Sequence, residues 1–179
     1  FSAITNNDKV GVVFFSDKIE RYIAPKKGKS HILYIIRELL TLEPHSNAQT
    51  NINEALRFLN NVLKKRSIVF LLSDFISPPY KDGLTIACKR HDLIGIHVSD
   101  KRDAEIPSVG LVQVHDAEAG TKKWIQTSDP KFQKMYKEQF EKKAKEIQLN
   151  LLKTGAASVA IRTDEDYVKK LQLFFKARR

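Results

Sequence analysis

The chain has 179 residues, 42% of them hydrophobic and 29% charged, with a formal net charge of +10 at pH 7. That length supports one domain with a real core, and the composition excludes a disordered chain. No apolar stretch reaches the roughly 20 residues of a membrane-spanning helix, and a lone Cys88 excludes an internal disulfide or a cysteine-rich zinc site.

The sequence opens on Phe1. "FSAI" (1–4) has the pattern of the last turn of an amphipathic helix leaving through "TNND", so a fragment lacking its N-terminal part is expected. "KVGVVFF" (9–15) reads as a strand buried on both faces, and "IERYIA" (19–24) as a paired edge strand. After the basic turn 25–29, Ser30 is expected to cap a helix with Ile32, Leu33, Ile35, Ile36, Leu39 and Leu40 on its inner side. Pro44 stops it. A second helix runs from about Asn51 to Lys65, with Asn51 and Glu54 spaced as a capping box.

"SIVFLLSD" (67–74) and "LIGIHVSD" (93–100) predict two buried strands around a helix at 80–90. Two alternating segments then flank "DAEAG", predicting an inserted β-hairpin over 111–127. Asp129-Pro130 opens a long helix with Phe132, Tyr136, Phe140, Ile147 and Leu151 on one face. Gly155 closes it, "ASVAI" (157–161) is a last strand, and Thr163 or Asp164 caps a final helix with Val168, Leu171 and Phe175 inward. Strands alternating with helices define an α/β fold: a doubly wound, mostly parallel, Rossmann-like sheet flanked by helices, in one domain over 1–179.

Three apolar runs end in Ser-Asp, at Asp17, Asp74 and Asp100. In open α/β sheets ligands sit at the carboxyl ends of the strands, where such carboxylates are held rigidly. Asp after a strand is also an ordinary loop starter or helix cap. Thr50 stands at the mouth of the second helix. Its hydroxyl and the Asp74 carboxylate are oxygen donors of the kind Mg²⁺ takes.

"NNDKVGVVFFSDKIERYIAPKKGKSHILYIIRELL", "TNINEALRFLNNVLKKRSIVFLLSDF" and "HDLIGIHVSDKRDAEIPSVGLVQVHDAEAG" together resemble the von Willebrand factor A-like part of the DUF-fifty-eight family. The resemblance implies a metal-ion-dependent adhesion site for Mg²⁺ or Mn²⁺, with Thr50 and Asp74 as its second and third elements. Its first element, Asp-x-Ser-x-Ser after the central strand, is absent here, and so is that strand. No bound metal is therefore expected in the fragment. The resemblance further implies a non-catalytic interaction module partnering a MoxR-type AAA+ ATPase; the single cysteine fits a reducing compartment, and a cytoplasmic location is expected. Ser16, Asp17, Asp100 and Trp124 are candidate partner contacts.

The enzymatic alternative is a Mg²⁺-dependent hydrolase or phosphotransferase using Asp74. "KKGKS" (26–30) lacks the first glycine of a nucleotide loop, and there is neither a Gly-x-Ser-x-Gly elbow nor a His-Glu-x-x-His pair. The five histidines show no ligand spacing; His97 reads as packing, and His31, His45, His91 and His115 as surface or loop residues. Basic clusters at 26–29, 64–66 and 178–179 come without stacking aromatics, so specific nucleic-acid binding is not expected.

Overall fold

The structure, a computed structural model, describes residues 2–43, 49–115 and 122–178. The chain divides into two compact units, residues 1–64 with 77–83 and residues 65–76 with 84–179.

The first unit starts with one helical turn, α1 (Ser2–Thr5), whose exit is closed by the Asp8 N–H donating to the Ala3 carbonyl at 2.8 Å. Strands β1 (Val10–Phe15) and β2 (Ile19–Lys26) pair antiparallel, with Phe14 opposite Arg21. Their register slips beside Gly11, where a Cβ would lie 2.9 Å from the Ile23 carbonyl oxygen and the Pro25 ring. Helix α2 (Lys29–Leu40) follows, then α3 (Ile52–Val62). Asn51 caps α3 by accepting the Glu54 N–H at 3.1 Å, as its spacing predicts. Ile52, Ala55 and Leu56 are buried, and the Phe58 ring meets Tyr22 of β2 edge to face.

Three expectations are corrected here. The residue before α2 is Gly28, at φ +102°, so Ser30 lies inside the first turn and caps nothing. No residue of α2 is fully buried: Leu33, Ile36, Leu39 and Leu40 are exposed, although their spacing is amphipathic. In β1 only Phe14 is buried, because the strand belongs to a two-stranded ribbon rather than a covered sheet.

The second unit is built on a parallel three-stranded sheet: β3 (Ile68–Ser73), β4 (Asp92–Ser99) and β7 (Ala157–Arg162), in that order. The division between units falls inside α4 (Lys81–Arg90), whose Leu84 and Ala87 are buried. A short α5 (Lys101–Ala104), the ribbon β5 (Leu111–His115) and β6 (Lys122–Gln126), α6 (Pro130–Lys153) and α7 (Tyr167–Ala177) complete it. The tip "DAEAG" of the expected hairpin lies outside the described residues; its two strands form, with Gln113 opposite Trp124.

Alternation in β4 sends side chains to both faces. Ile94 and Ile96 join Ile161 of β7 under Leu171 and Phe174 of α7. On the opposite face Gly95 admits α6: a Cβ there would lie 2.7 Å from Leu151 Cδ1 and 3.3 Å from Phe75 Cζ. Leu151 is fully buried, and the expected inner face of α6 is half-buried along its length. Asp129 caps α6 with Pro130 in its first turn.

Two readings of apolar pattern fail in this unit. β3 pairs on one side only among the described residues, and Ile68 (64% exposed), Phe70 (46%) and Leu72 (58%) stand on the face that α7 covers over β4 and β7. α7 is capped by Asp166, which accepts the Val168 and Lys169 N–H groups, instead of Thr163 or Asp164. Leu171 packs inward as expected, together with Phe174, while Val168 is exposed and Phe175, 40% exposed, meets the Phe70 ring of β3 edge to face at 6.1 Å.

His91, expected at the surface, is buried, and neither ring nitrogen has a hydrogen-bond partner. Burial, with Arg90 alongside, pushes its imidazole below the ordinary value of 6.5. The unfolded chain thus takes up this proton at a higher pH than the folded one, so stability falls as pH drops below about 6.5. Denaturant melts from pH 7.5 to 5 check this: His91→Phe should flatten the decline. Gly95→Ala should destabilise by about 1–3 kcal/mol through overpacking against Leu151, measured by urea unfolding.

Candidate functional site

The site residues fall in both units, and each group is built by its own unit. In the first, the turn after β1 carries Ser16 and Asp17. The Ser16 hydroxyl donates to Asp17 Oδ1 at 3.0 Å and to Glu20, while its carbonyl accepts the Asn51 N–H at 2.8 Å. That last bond sets the entry of α3, and Thr50, half-buried, immediately precedes it. The Ile52 N–H is satisfied by the Ser77 hydroxyl at 3.1 Å. Ser16 thus works as a brace for the Thr50 loop.

In the second unit, the carboxyl ends of β3, β4 and β7 supply the polar groups. Asp74 follows β3 and is exposed. Its Oδ1 accepts the Ile76 N–H at 3.0 Å and lies 3.4 Å from the Ser73 hydroxyl, while that hydroxyl accepts the Phe75 N–H at 3.0 Å. Phe75 has φ +60°, a left-handed backbone that a bulky residue adopts only when its surroundings enforce it. What enforces it is ring burial: Phe75 sits under Gly95 and meets the His97 ring edge to face at 6.0 Å. The turn therefore points the Asp74 carboxylate outward while its neighbour anchors inward.

His97 is packing, as its strand position suggests. Burial pushes its imidazole down, and the nearby Asp74 and Asp103 carboxylates oppose that shift.

Asp100 is committed to structure. Its Oδ1 accepts the Arg102 N–H at 2.9 Å, its Oδ2 accepts the Thr163 hydroxyl at 2.8 Å, and its own N–H donates to Asp103 Oδ2 at 2.6 Å. These bonds hold its carboxyl below the usual carboxylate range, with the Arg102 N–H the largest cause and Thr163 next. The result is a reciprocal cap on α5 and a clip between the ends of β4 and β7. Thr163, which the sequence offers as a helix cap, earns its place here.

Trp124 lies on the same face of the β5–β6 ribbon as Leu111 and Gln113 and is 66% exposed. The ribbon is rooted firmly. Thr127, buried, donates its hydroxyl to the Gly110 carbonyl at 2.8 Å and accepts the Val109 N–H at 3.1 Å, and the Gln133 side chain donates to its carbonyl at 2.8 Å.

The metal chemistry implied by resemblance does not find a complete donor set. Thr50 and Asp74 provide two donor groups and belong to different units, against about six hard oxygens for Mg²⁺. Among the described residues no three His, Cys, Asp or Glu side chains gather around one point.

A three-stranded parallel sheet flanked by helices, with carboxylates past its strand ends, defines the second unit as a mixed α/β arrangement, and each unit also contains a two-stranded antiparallel ribbon. The fold resembles the crystal structure of conserved hypothetical protein BatB from Bacteroides thetaiotaomicron, with a TM-score of 0.53 over 96% of this chain and 78% of that one. The identity is 16%, so the likeness concerns fold alone. A family model described as "Protein of unknown function DUF58" matches residues 1–146, and the chain belongs to that family. Uncharacterized protein Rv1480 of Mycobacterium tuberculosis is 23% identical over 174 residues, 96% of this chain. Uncharacterized protein MAV169 of Mycobacterium avium is 30% identical over 121 residues, 65% of this chain and 69% of that protein. The chain spans about half of the former relative, 55% of its length.

The Asp100 clip generates a measurable expectation. Asp100→Ala should speed amide hydrogen exchange at Arg102 and Thr163, leaving Leu93 and Ile94 in mid-strand protected.

Proposed function

We propose that this chain is a non-catalytic protein-interaction module of the von Willebrand A type, with a MoxR-type AAA+ ATPase as its partner in assembly or maturation. The observation that carries the reading is the Asp74 turn. A carboxylate stands outward at the carboxyl end of a parallel strand, where open α/β sheets take ligands. The turn is held there by a buried aromatic in a strained backbone. Strain of this kind clusters at functional positions.

Thr50 is the second proposed contact, braced through Ser16 and Asn51. Cation bridging of the kind the resemblance implies would need oxygens beyond these two, including the Asp-x-Ser-x-Ser element that these 179 residues lack. Asp100 stays among the proposed contacts with Ser16, Asp17 and Trp124: it is exposed, and each carboxylate oxygen accepts one hydrogen bond in the clip and keeps a second acceptor site.

The test is titration of the intact protein against the purified ATPase with and without Mg²⁺. Asp74→Ala and Thr50→Ala should each weaken Mg²⁺-dependent binding by about tenfold or more, the usual scale for removing one member of a close charged contact. Equal affinity in both variants, or nucleotide hydrolysis by the module itself that Asp74→Asn abolishes, would reject the reading.

A further inference from the structure

We propose that β3 is a dimerisation edge: two copies of the chain pair β3 with β3 antiparallel about a two-fold axis at Phe70, with Arg66 of each copy beside Asp74 of the other. The inference goes beyond the ATPase contact proposed above.

The backbone sets the parity of the pairing. The Asp92 N–H donates to the Ser67 carbonyl at 2.9 Å, and Ile68 stands opposite Asp92 in the parallel ladder. Odd-numbered residues of β3 therefore turn their N–H and C=O groups to β4. Those of Ile68, Phe70 and Leu72 point the other way, where no strand pairs with them among the described residues. A row of outward donors and acceptors is a template for another strand. In an antiparallel pair, residues turned outward on one strand oppose residues turned outward on the other. Even-numbered positions of one copy thus face even-numbered positions of the next.

Side chains choose the partner and the register. Taken in twos from position 66, β3 and its flanks read Arg, Ile, Phe, Leu, Asp, and all five are exposed. Reversed, this row is its own complement: Arg66 meets Asp74, Ile68 meets Leu72, and Phe70 meets its own copy. Slipping by one pair sets Leu72 against Arg66 or Ile68 against Asp74. An in-register parallel pair sets Arg66 on Arg66 and Asp74 on Asp74, and like charges directly opposite are destabilising. A second copy, antiparallel, is therefore the occupant that matches both apolar and charged positions. Phe175 of α7 meets the Phe70 ring edge to face at 6.1 Å, so the aromatic at the axis is already oriented. Each copy spends the same edge, and the pair closes on itself as a dimer.

Sedimentation of the 179-residue chain alone, at loading concentrations of about 5–500 µM, should show a monomer–dimer equilibrium. Arg66→Asp and Asp74→Arg should each weaken the dimer about tenfold or more, because like charges then face each other at both ends. An equimolar mixture of these two variants should dimerise as the unaltered chain does, since opposite charges meet at both ends of the mixed pair. Phe70→Lys should leave the chain monomeric. Circular dichroism checks that each variant keeps its fold. A chain that is monomeric at every concentration overturns the proposal. So do a dimer that both charge variants leave intact, a mixture that stays monomeric, and growth to assemblies larger than two. A dimer that survives Phe70→Lys and is lost with Trp124→Ala also overturns it, and assigns the interface to the β5–β6 ribbon. Neither ATPase nor Mg²⁺ is present, so this outcome is separate from that of the Asp74 titration.

Discussion

The second unit depends on one close approach. Leu151 of α6 meets the backbone of β4 at Gly95, with no side chain between them, and Phe75 closes the same gap from the end of β3. Three segments far apart in sequence are thereby locked to one point on the sheet. The helix held this way carries the ribbon at its other end, and the aromatic held this way sets the turn at Asp74. The turn at Asp74 thus rests on a contact that a Cβ at position 95 would obstruct.

That dependence explains why the Asp74 turn tolerates an unfavourable backbone. A left-handed Phe costs on the order of 1–3 kcal/mol, and full burial of a large aromatic returns a comparable amount. The geometry is therefore conditional on the core beneath it. The Asp100 clip works differently, through hydrogen bonds near the surface, and ties β4 to β7 without help from the interior.

Much of the architecture was legible because caps and periodicity are local. Asn51 before α3, Asp129-Pro130 before α6 and Gly155 after it all act where their spacing predicts. The misses share a cause: an apolar run states that a strand or helix has a sticky face, and says nothing of whether a neighbour covers it. β3 and α2 show this, with alternating residues left open. Competing caps within a few residues mislead in the same way, as Thr163, Asp164 and Asp166 did. At the candidate site, Thr50 and Asp74 stood out as oxygen donors at element ends and gained roles only from resemblance. Asp100 and Asp103 carried a readable signal in their three-residue spacing, the reciprocal cap. Phe75 carried none, since nothing in an aromatic residue announces a positive φ, and the burial of His91 was equally silent.

The exposed residues of β3, Ile68, Phe70 and Leu72, bear on self-association of the chain. "IVFLLS" combines strong β-propensity with no charge, no proline and, among the described residues, one side without a strand partner, which is the profile of a steric-zipper segment. One residue before it, across Ser67, stand Lys64, Lys65 and Arg66, all exposed. Three like charges flanking such a segment raise the electrostatic cost of stacking identical copies.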